Sequence, residues 1–519
     1  MRLVEMADDG ARAHLERASR SERRETGQFF TPPHIARLMA GGLDAGSDSV
    51  RILDPGAGAG TLAAAALERI ASVGRARSVH ADLFETDAGV IPILRENMAA
   101  AREAMALSGI DFTFEIAPLD FISGNRAKWS GEEGFEPYDI AISNPPYVKI
   151  GAGSEQARAM ESVVFGQPNL YCLFMAMASR LLRDGGELSF IVPRSFTSGL
   201  YFSRFRKWFL SEMKIRWMHS FESRDSDFAS DRVLQETMIV RAAKTGEAPA
   251  RVAVSESAGV SSPGPVRSML VDYGVCVSGD GFIFMPTSES DLEAMSLVNG
   301  WGGSLRSRGY ALRTGGVVEF REREWLREEA GEGTVPLIRA RDFKGGRIDA
   351  PGPRGGRPGH FERRAETERV MLPRGNYVLV KRFAAKEEAR RLQCAMLPES
   401  FFDEHGGACA ENHVNVLTKI GGGMSEDEMR GLYVLFGSSY ADRYYRMLNG
   451  STQVNATEFN SMHAPPAEKI AEFGAASRGY PMLDARACDE IIDESMGGTM
   501  PREKKDGVTW ENWVKPKIY

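Results

Sequence analysis

Short apolar runs alternate with longer helical stretches between about Gly27 and Arg241. The apolar runs predict strands at residues 51–53, 79–84, 112–116, 138–143 and 188–192. The stretches between them predict helices at residues 62–72 and 90–106, and a long helix that ends near Leu182 before Asp184-Gly185-Gly186. This alternation predicts an α/β fold with a doubly wound, Rossmann-like and mainly parallel sheet. Ligands are then expected outside the carboxyl ends of the strands.

The pattern weakens between Ala242 and Ser290, where Ser, Gly and Pro accumulate. Beyond it the chain has Arg- and Gly-rich turns and one helical stretch at residues 426–449. We therefore predict an N-terminal arm at 1–25, an α/β catalytic domain at 26–245 and a connecting segment at 246–295. A C-terminal domain of mixed α+β structure follows at 296–519.

Composition indicates an ordinary globular protein with a net charge of −7 and no apolar run long enough to span a membrane. The polar N-terminus predicts no secretory signal, and the five widely spaced cysteines predict neither a disulfide framework nor a metal site. A cytoplasmic location is expected. Residues 301–391 contain 21 Lys and Arg against 13 Asp and Glu. Such a basic segment fits either a DNA-contacting surface or a solvated Arg-rich loop.

The run Asp54-Pro55-Gly56-Ala57-Gly58-Ala59-Gly60 is a glycine-rich turn between a predicted strand and a predicted helix. It lacks the third glycine of G-x-G-x-x-G, and Asp54 would repel a pyrophosphate but attract the ammonium of S-adenosyl-L-methionine. Glu85 ends the next strand, where a carboxylate can bind both ribose hydroxyls. Asp120 and Phe121 follow the third strand and can contact the adenine of the same cofactor.

The strongest signal is Asn144-Pro145-Pro146-Tyr147 at the end of an apolar strand. An aromatic amine is a poor nucleophile because its lone pair is delocalised into the ring. The Asn144 side-chain oxygen and the Pro145 carbonyl can together accept both amine protons, which favours an sp3 nitrogen with its lone pair aimed at the methyl carbon. Pro146 stiffens the backbone, and Tyr147 offers a flat surface for stacking.

Residues 27–241 carry these motifs in the same order as the γ-class N6-adenine DNA methyltransferases, the TaqI-like family, which this part of the chain resembles. The resemblance implies that Thr31 and its neighbour Phe30, within Gly27–Pro33, belong to the cofactor site. It also implies that Asp54, Gly56, Gly58, Glu85, Asp120, Phe121 and Phe174 bind the cofactor. Asn144 to Tyr147 match the catalytic motif, and Phe228 is the aligned residue that packs on the flipped base.

The C-terminal run from Tyr444 to Asn455 resembles a segment of target-recognition domains, and the chain length suits a type II modification enzyme of the PstI/BsuBI kind. This implies an enzyme that methylates a flipped adenine in double-stranded DNA, with a cognate restriction endonuclease in the same system. We expect it to act as a monomer, because a hemimethylated duplex offers one target at a time. Arg339, Arg341, Lys381 and Arg382 are candidate DNA contacts. RNA and protein glutamine stay open as alternative substrates. A scaffold subunit is disfavoured by the intact motif, and an oxidoreductase by the missing glycine.

Overall fold

The computed structural model describes residues 2–17, 31–221, 236–259, 267–349, 352, 357–384 and 388–496. The chain divides into two units, with the boundary between Thr287 and Ser288. Two predicted site residues, Phe30 and Phe228, lie outside the described residues, as does the rest of the predicted cofactor segment before Thr31.

Unit 1 is built on a nine-stranded sheet with the order β3-β2-β1-β4-β5-β7-β6-β8-β9. Strands β1 to β5 run parallel, whereas β7 is antiparallel to both of its neighbours. The strands are β1 Ser49–Asp54, β2 Ser78–Phe84, β3 Asp111–Ala117, β4 Tyr138–Ser143, β5 Leu182–Pro193, β6 Met213–Phe221, β7 Thr237–Lys244, β8 Arg251–Ser257 and β9 Arg267–Asp272.

Helices cover both faces of this sheet, which confirms the predicted doubly wound α/β fold. Their apolar sides form the core: in the Ala-rich α3, every residue from Thr61 to Leu67 is buried. The described helices of this unit are α1 Leu3–Arg17, α2 Pro33–Ala40, α3 Thr61–Val73, α4 Ile91–Leu107, α5 Phe121–Gly124, α6 Arg126–Ser130, α7 Glu155–Ala159, α8 Leu170–Leu181, α9 Ser203–Glu212 and α10 Tyr273–Cys276.

The structure differs from the sequence prediction at both ends of the sheet domain. Residues 3–17 form α1, which packs on α3 and contributes Val4 to the core, so this part of the expected arm belongs to the folded unit. The predicted connecting segment contains β8 and β9, which extend the sheet. Val252 and Val254 are fully buried there, which stabilises a strand despite the Ser- and Gly-rich surroundings.

Unit 2 contains a six-stranded sheet, β10-β19-β16-β17-β14-β13, and a four-stranded sheet, β11-β15-β12-β18. Each has its own buried cluster, one around Leu379 and Val416 and one around Phe361. The strands are β10 Tyr310–Thr314, β11 Leu326–Arg327, β12 Thr334–Ile338, β13 Phe343–Lys344, β14 Arg347–Ile348, β15 His360–Glu362, β16 Tyr377–Lys381, β17 Cys394–Leu397, β18 Cys409–Ala410 and β19 Val414–Lys419.

The single helix expected at residues 426–449 is two helices. Ser438 is extended and its hydroxyl accepts from the Ala441 N–H at 3.1 Å, so it ends one helix and caps the next. The described helices of unit 2 are α11 Glu289–Gly300, α12 Glu399–His405, α13 Glu426–Gly437, α14 Ser439–Leu448, α15 Ala456–Ser461, α16 Ala467–Ala476 and α17 Ala485–Ser495. In the described parts of the chain, no helix is long and apolar enough to cross a membrane.

Candidate active site

Four sequence motifs come together at one edge of the sheet in unit 1. Asp54 is the last residue of β1, Glu85 follows β2, Asp120 follows β3, and Asn144 follows β4. These four strands are parallel neighbours, so their carboxyl ends lie at the same edge. The chain leaves β1 toward β2 on one side and returns as β4 on the other, which makes the β1–β4 gap the topological switch point.

The glycine turn after β1 lies against the end of β4. A Cβ placed on Gly56 would lie 3.6 Å from Ser143 Oγ, 3.9 Å from the Asn144 carbonyl oxygen and 3.9 Å from Phe174. The turn closes at Gly60, which has a φ of +88° and precedes α3. A side chain at Gly60 would be strained, and its Cβ would lie 2.8 Å from Met98. The turn therefore needs glycine at position 60, whereas a Cβ at Gly56 would make only ordinary van der Waals contacts.

Asp54 is fully buried, and burial raises its pKa to about 8. Its Oδ1 accepts a long hydrogen bond of 3.4 Å from the Gly56 N–H, and the nearby charge of Glu85 contributes to the raised pKa. Within the described residues, Oδ2 has no hydrogen-bond partner. A buried carboxylate without a partner is costly, so this position favours a cation from outside the chain.

Glu85 is held by the backbone. The Gly58 N–H donates to its Oε2 at 2.9 Å, and the Asp87 N–H donates to its Oε1 at 2.8 Å. Burial raises the pKa of Glu85, and these two N–H groups partly oppose the rise. Each carboxylate oxygen keeps a second lone pair, so the side chain can still accept from two hydroxyls.

Asp120 and Phe121 have structural partners of their own. Asp120 caps α5 by accepting from the Ser123 N–H at 2.8 Å. The Phe121 ring is only 1% exposed and packs between Phe84 and Phe174, with centroids 5.1 and 5.2 Å away. The three rings form an apolar wall near the glycine turn. Phe121 offers little open surface for stacking in this arrangement, so its main contact is with the other two rings.

Asn144 is fixed from two sides. Its Nδ2 donates to Thr31 Oγ1 at 3.2 Å, and its Oδ1 lies 2.8 Å from the Tyr147 hydroxyl. The same hydroxyl lies 3.0 Å from the Ile191 carbonyl of β5, so its single proton is shared between two acceptors. Burial raises the pKa of Tyr147. A side-chain amide oxygen is a hydrogen-bond acceptor with two lone pairs, which is the chemistry required to hold an amine proton.

Two buried hydroxyls near this edge are not evident from the motifs. Ser143 Oγ and Thr61 Oγ1 have no hydrogen-bond partner among the described residues. Ser143 ends β4 immediately before Asn144, and Thr61 begins α3 immediately after Gly60. The sequence could have indicated these two hydroxyls only through their positions, because each is adjacent to a residue of a recognised motif.

The four candidate DNA contacts of unit 2 differ in exposure. Arg339 is 3% exposed and its Nε donates to Glu319 at 2.7 Å, which favours a structural role over a phosphate contact. Arg341 and Lys381 are half-buried. Arg382 donates to the Asn412 carbonyl at 2.9 Å and lies over the Phe383 ring at 5.5 Å.

The nine-stranded sheet and its strand-end site form the doubly wound, Rossmann-like fold expected of a methyltransferase. A family model, the Eco57I restriction-modification methylase, matches residues 100–226. The type II methyltransferase M.BsuBI of Bacillus subtilis is 35% identical over 87% of this chain and 89% of its own. The type II methyltransferase M.PstI of Providencia stuartii is 31% identical over 95% and 97%. The chain belongs to this family of type II methyltransferases and is a DNA methyltransferase of the restriction-modification class.

Among solved structures, the type IIL restriction-modification enzyme MmeI, determined in complex with DNA, matches with a TM-score of 0.54. The match covers 95% of this chain and 74% of MmeI at 10% identity, and it supports the fold.

Proposed function

We propose that this chain transfers a methyl group from S-adenosyl-L-methionine to the N6 amine of an adenine flipped out of duplex DNA. In this proposal unit 1 is the catalytic domain and unit 2 is the target-recognition domain. The enzyme acts as a monomer and protects the target site of a cognate restriction endonuclease. The names of M.BsuBI and M.PstI as type II methyltransferases support this role.

The observation that carries the proposal is the position of Asn144. Its amide is oriented by Thr31 and Tyr147, and its backbone carbonyl lies beside the glycine turn. An acceptor for an amine proton and the wall of a cofactor site are therefore adjacent. This adjacency is what a methyl transfer between two bound molecules requires.

The acceptor groups at the ends of β1 and β2 fit S-adenosyl-L-methionine. Asp54 Oδ2 is a buried acceptor without a partner among the described residues and is available to the ammonium, and Glu85 can accept from the two ribose hydroxyls. In this proposal Asp120 and Phe174 contact the adenine, and the buried Phe121 supports the ring of Phe174. When bound, this molecule supplies an electrophilic methyl group on a sulfonium.

The chain's own residues prepare the nucleophile. Asn144 Oδ1 and the Pro145 carbonyl accept the two protons of the target amine, so the nitrogen lone pair is freed from the ring. S-adenosyl-L-methionine, held by Asp54 and Glu85, would supply the methyl group to this nitrogen and would keep the carbon–sulfur electron pair as S-adenosylhomocysteine. One amine proton becomes acidic as the bond forms and passes to solvent, so no general base is needed beforehand. Tyr147 stacks on the base and Phe228 packs against it.

Asn144→Ala tests the proposal directly. We expect methylation of duplex DNA to fall at least about a hundredfold, because an acceptor aimed at the reacting amine is lost. Binding of S-adenosylhomocysteine should be unchanged, which serves as the control for folding. Undiminished methylation by this variant would disprove the mechanism.

The substrate is tested with radiolabelled methyl transfer from S-adenosyl-L-methionine to duplex DNA, RNA and total protein in parallel. Label should appear in DNA as N6-methyladenine at one sequence. Label in RNA or on glutamine would overturn the assignment of substrate while leaving the site chemistry intact.

A further inference from the structure

Unit 2 contains a pocket of about 430 Å³ that is remote in sequence from the catalytic motifs. Two loops meet there: the Asn412 N–H donates to the Val317 carbonyl at 2.9 Å, and Val317 pairs with Glu411. The lining residues are Val318, Glu319, Phe320, Arg357, Glu411, Asn412 and His413.

Two aromatic side chains stand exposed at this pocket. Phe320 is 66% exposed and Phe383 is 40% exposed, and the Phe383 ring centroid lies 5.2 Å from that of His413. A guanidinium lies over each ring, from Arg321 at 5.3 Å and from Arg382 at 5.5 Å. Exposed rings combined with guanidinium groups are typical of nucleic-acid-binding surfaces, where they stack on or wedge between bases.

Within the described residues, the cations at this pocket are not paired with carboxylates. Two exposed arginines of unit 2 that lie elsewhere are neutralised by carboxylates: Arg363 pairs with Glu368, and Arg374 with Glu399 and Asp403. In the described part of the chain, Arg321, Arg357, Lys381 and Arg382 have no carboxylate partner. The two carboxylates that line the pocket are already bonded, Glu319 to Arg339 and Glu411 to His413. Unpaired cations therefore lie at and beside this pocket, which favours a polyanion as its ligand.

The pocket also offers polar groups able to distinguish bases. Among the described residues, the Asn412 side-chain amide has no hydrogen-bond partner, and an amide can pair with an adenine edge through two bonds. The buried Glu411 carboxylate bonds to His413 Nδ1, which fixes the imidazole and leaves Nε2 for another partner. The Tyr444–Asn455 segment supports this region, because the Val454 N–H donates to the Arg382 carbonyl at 2.7 Å.

We propose that this face of unit 2 binds the recognition sequence in duplex DNA. We call it the Phe320 face and define it as Phe320, Arg321, Arg357, Arg382, Phe383, Asn412 and His413. Arg321 and Arg357 contact phosphates, Asn412 and His413 read base edges, and the two phenylalanines pack on bases. The inference rests on the proposed function and assigns its sequence selectivity to named residues.

The phosphate contacts are tested with Arg321→Gln/Arg357→Gln, and Arg363→Gln/Arg374→Gln is the matched control with the same loss of charge. Binding to a duplex with the recognition sequence is measured by fluorescence anisotropy over a range of salt concentrations. We expect the first variant to bind at least about tenfold more weakly and its log–log salt slope to fall by about 2. The control should bind like wild type. Equal binding by both variants would overturn the proposal.

Base reading is tested with Asn412→Ala. We expect its preference for the recognition duplex over a duplex with one changed base pair to fall about tenfold, while binding of S-adenosylhomocysteine stays unchanged. Unaltered preference would remove Asn412 from the assignment. Wild-type protein that neither binds nor methylates DNA would instead refute the proposed function itself.

Phe320→Ala/Phe383→Ala distinguishes DNA from a protein partner. We expect weaker DNA binding with an unchanged molar mass in light scattering. A wild-type dimer that becomes a monomer in this variant, with DNA binding unaltered, would show an interface between copies and overturn the proposal.

Discussion

Asp54 is a buried carboxyl whose protonation depends on what lies beside it. Its raised pKa of about 8 exceeds the ordinary value of 3.8, so burial favours the protonated form in the free protein. Because the pKa is higher in the folded state, this group lowers the free energy of unfolding as pH rises from about 4 to about 8. A ligand ammonium beside Oδ2 would instead favour the ionised form of Asp54, because it stabilises the carboxylate.

We therefore expect binding of S-adenosylhomocysteine to release a proton below pH 8. Its affinity should increase by up to about tenfold per pH unit between about pH 5.5 and about pH 7. Isothermal titration calorimetry in buffers of different ionisation enthalpy measures both quantities. Asp54→Asn should bind S-adenosylhomocysteine weakly, with an affinity that does not change with pH. Asp48→Asn, which removes an exposed carboxylate of the same unit, should match wild type. A flat wild-type profile would contradict the ammonium assignment.

Tyr147 combines two roles that can be separated. Its hydroxyl orients Asn144, and its ring is the proposed stacking surface for the target base. Tyr147→Phe should lower kcat by about twofold to tenfold, the effect of one hydrogen bond. Tyr147→Ala should lower kcat considerably more than Tyr147→Phe does, because base stacking contributes about 1–3 kcal/mol. Single-turnover methylation measures both; equal losses would mean that the ring does not stack.

Among single residues, the motifs predict positions better than contacts. Asn144, Asp54 and Glu85 lie together because each stands at the carboxyl end of a parallel strand, and a mainly parallel sheet could be predicted from the βα alternation. The burial of Phe121 and the capping by Asp120 could not, because they depend on side chains distant in sequence. Arg339 illustrates the same limit: its charge is visible in the sequence, but its pairing with Glu319 requires the fold.

At the scale of elements, α13 and α16 cross with backbone against backbone. A Cβ at Gly431 would lie 1.7 Å from the Ile470 carbonyl oxygen, and one at Gly474 would lie 1.9 Å from that of Asp427. Neither glycine belongs to a turn, so the sequence pattern alone makes them look like poor helix residues. Their role is to let the two helices approach closely.

Gly431→Ala should destabilise the protein by about 2–3 kcal/mol, since an added methyl group has no room. Gly422→Ala is the matched control, because a Cβ there meets nothing within 4 Å. Denaturant unfolding followed by far-UV circular dichroism measures the difference. Equal stability of the two variants would show that the helices can separate at no cost.

The break between α13 and α14 and the extra strands β8 and β9 share one cause. Helical periodicity continues through residues 426–449, and only the extended conformation of the buried Ser438 interrupts it. Likewise, Ser- and Gly-rich composition favours a linker over 246–295, but buried valines pair there with the sheet. Tertiary packing decides both cases, and local sequence does not contain that information.

At the scale of the whole molecule, each unit has a core of its own. The cluster that includes Val50, Leu67 and Ile140 belongs to unit 1, and those around Leu379 and Phe361 belong to unit 2. The proposed cofactor site is built from unit 1 alone, and the Phe320 face from unit 2 alone. Perturbations of the two units should therefore have distinguishable effects on stability.

We expect differential scanning calorimetry to resolve this separation. S-adenosylhomocysteine at about 100 times its Kd adds about 2.7 kcal/mol to the unit that binds it and should raise the Tm of that transition by about 4 °C. Asp54→Asn should abolish this shift. Gly431→Ala should lower the other transition and leave the ligand-induced shift intact. If the ligand and Gly431→Ala move one and the same transition, the two units unfold as a single cooperative body, and the assignment of independent stabilities is wrong.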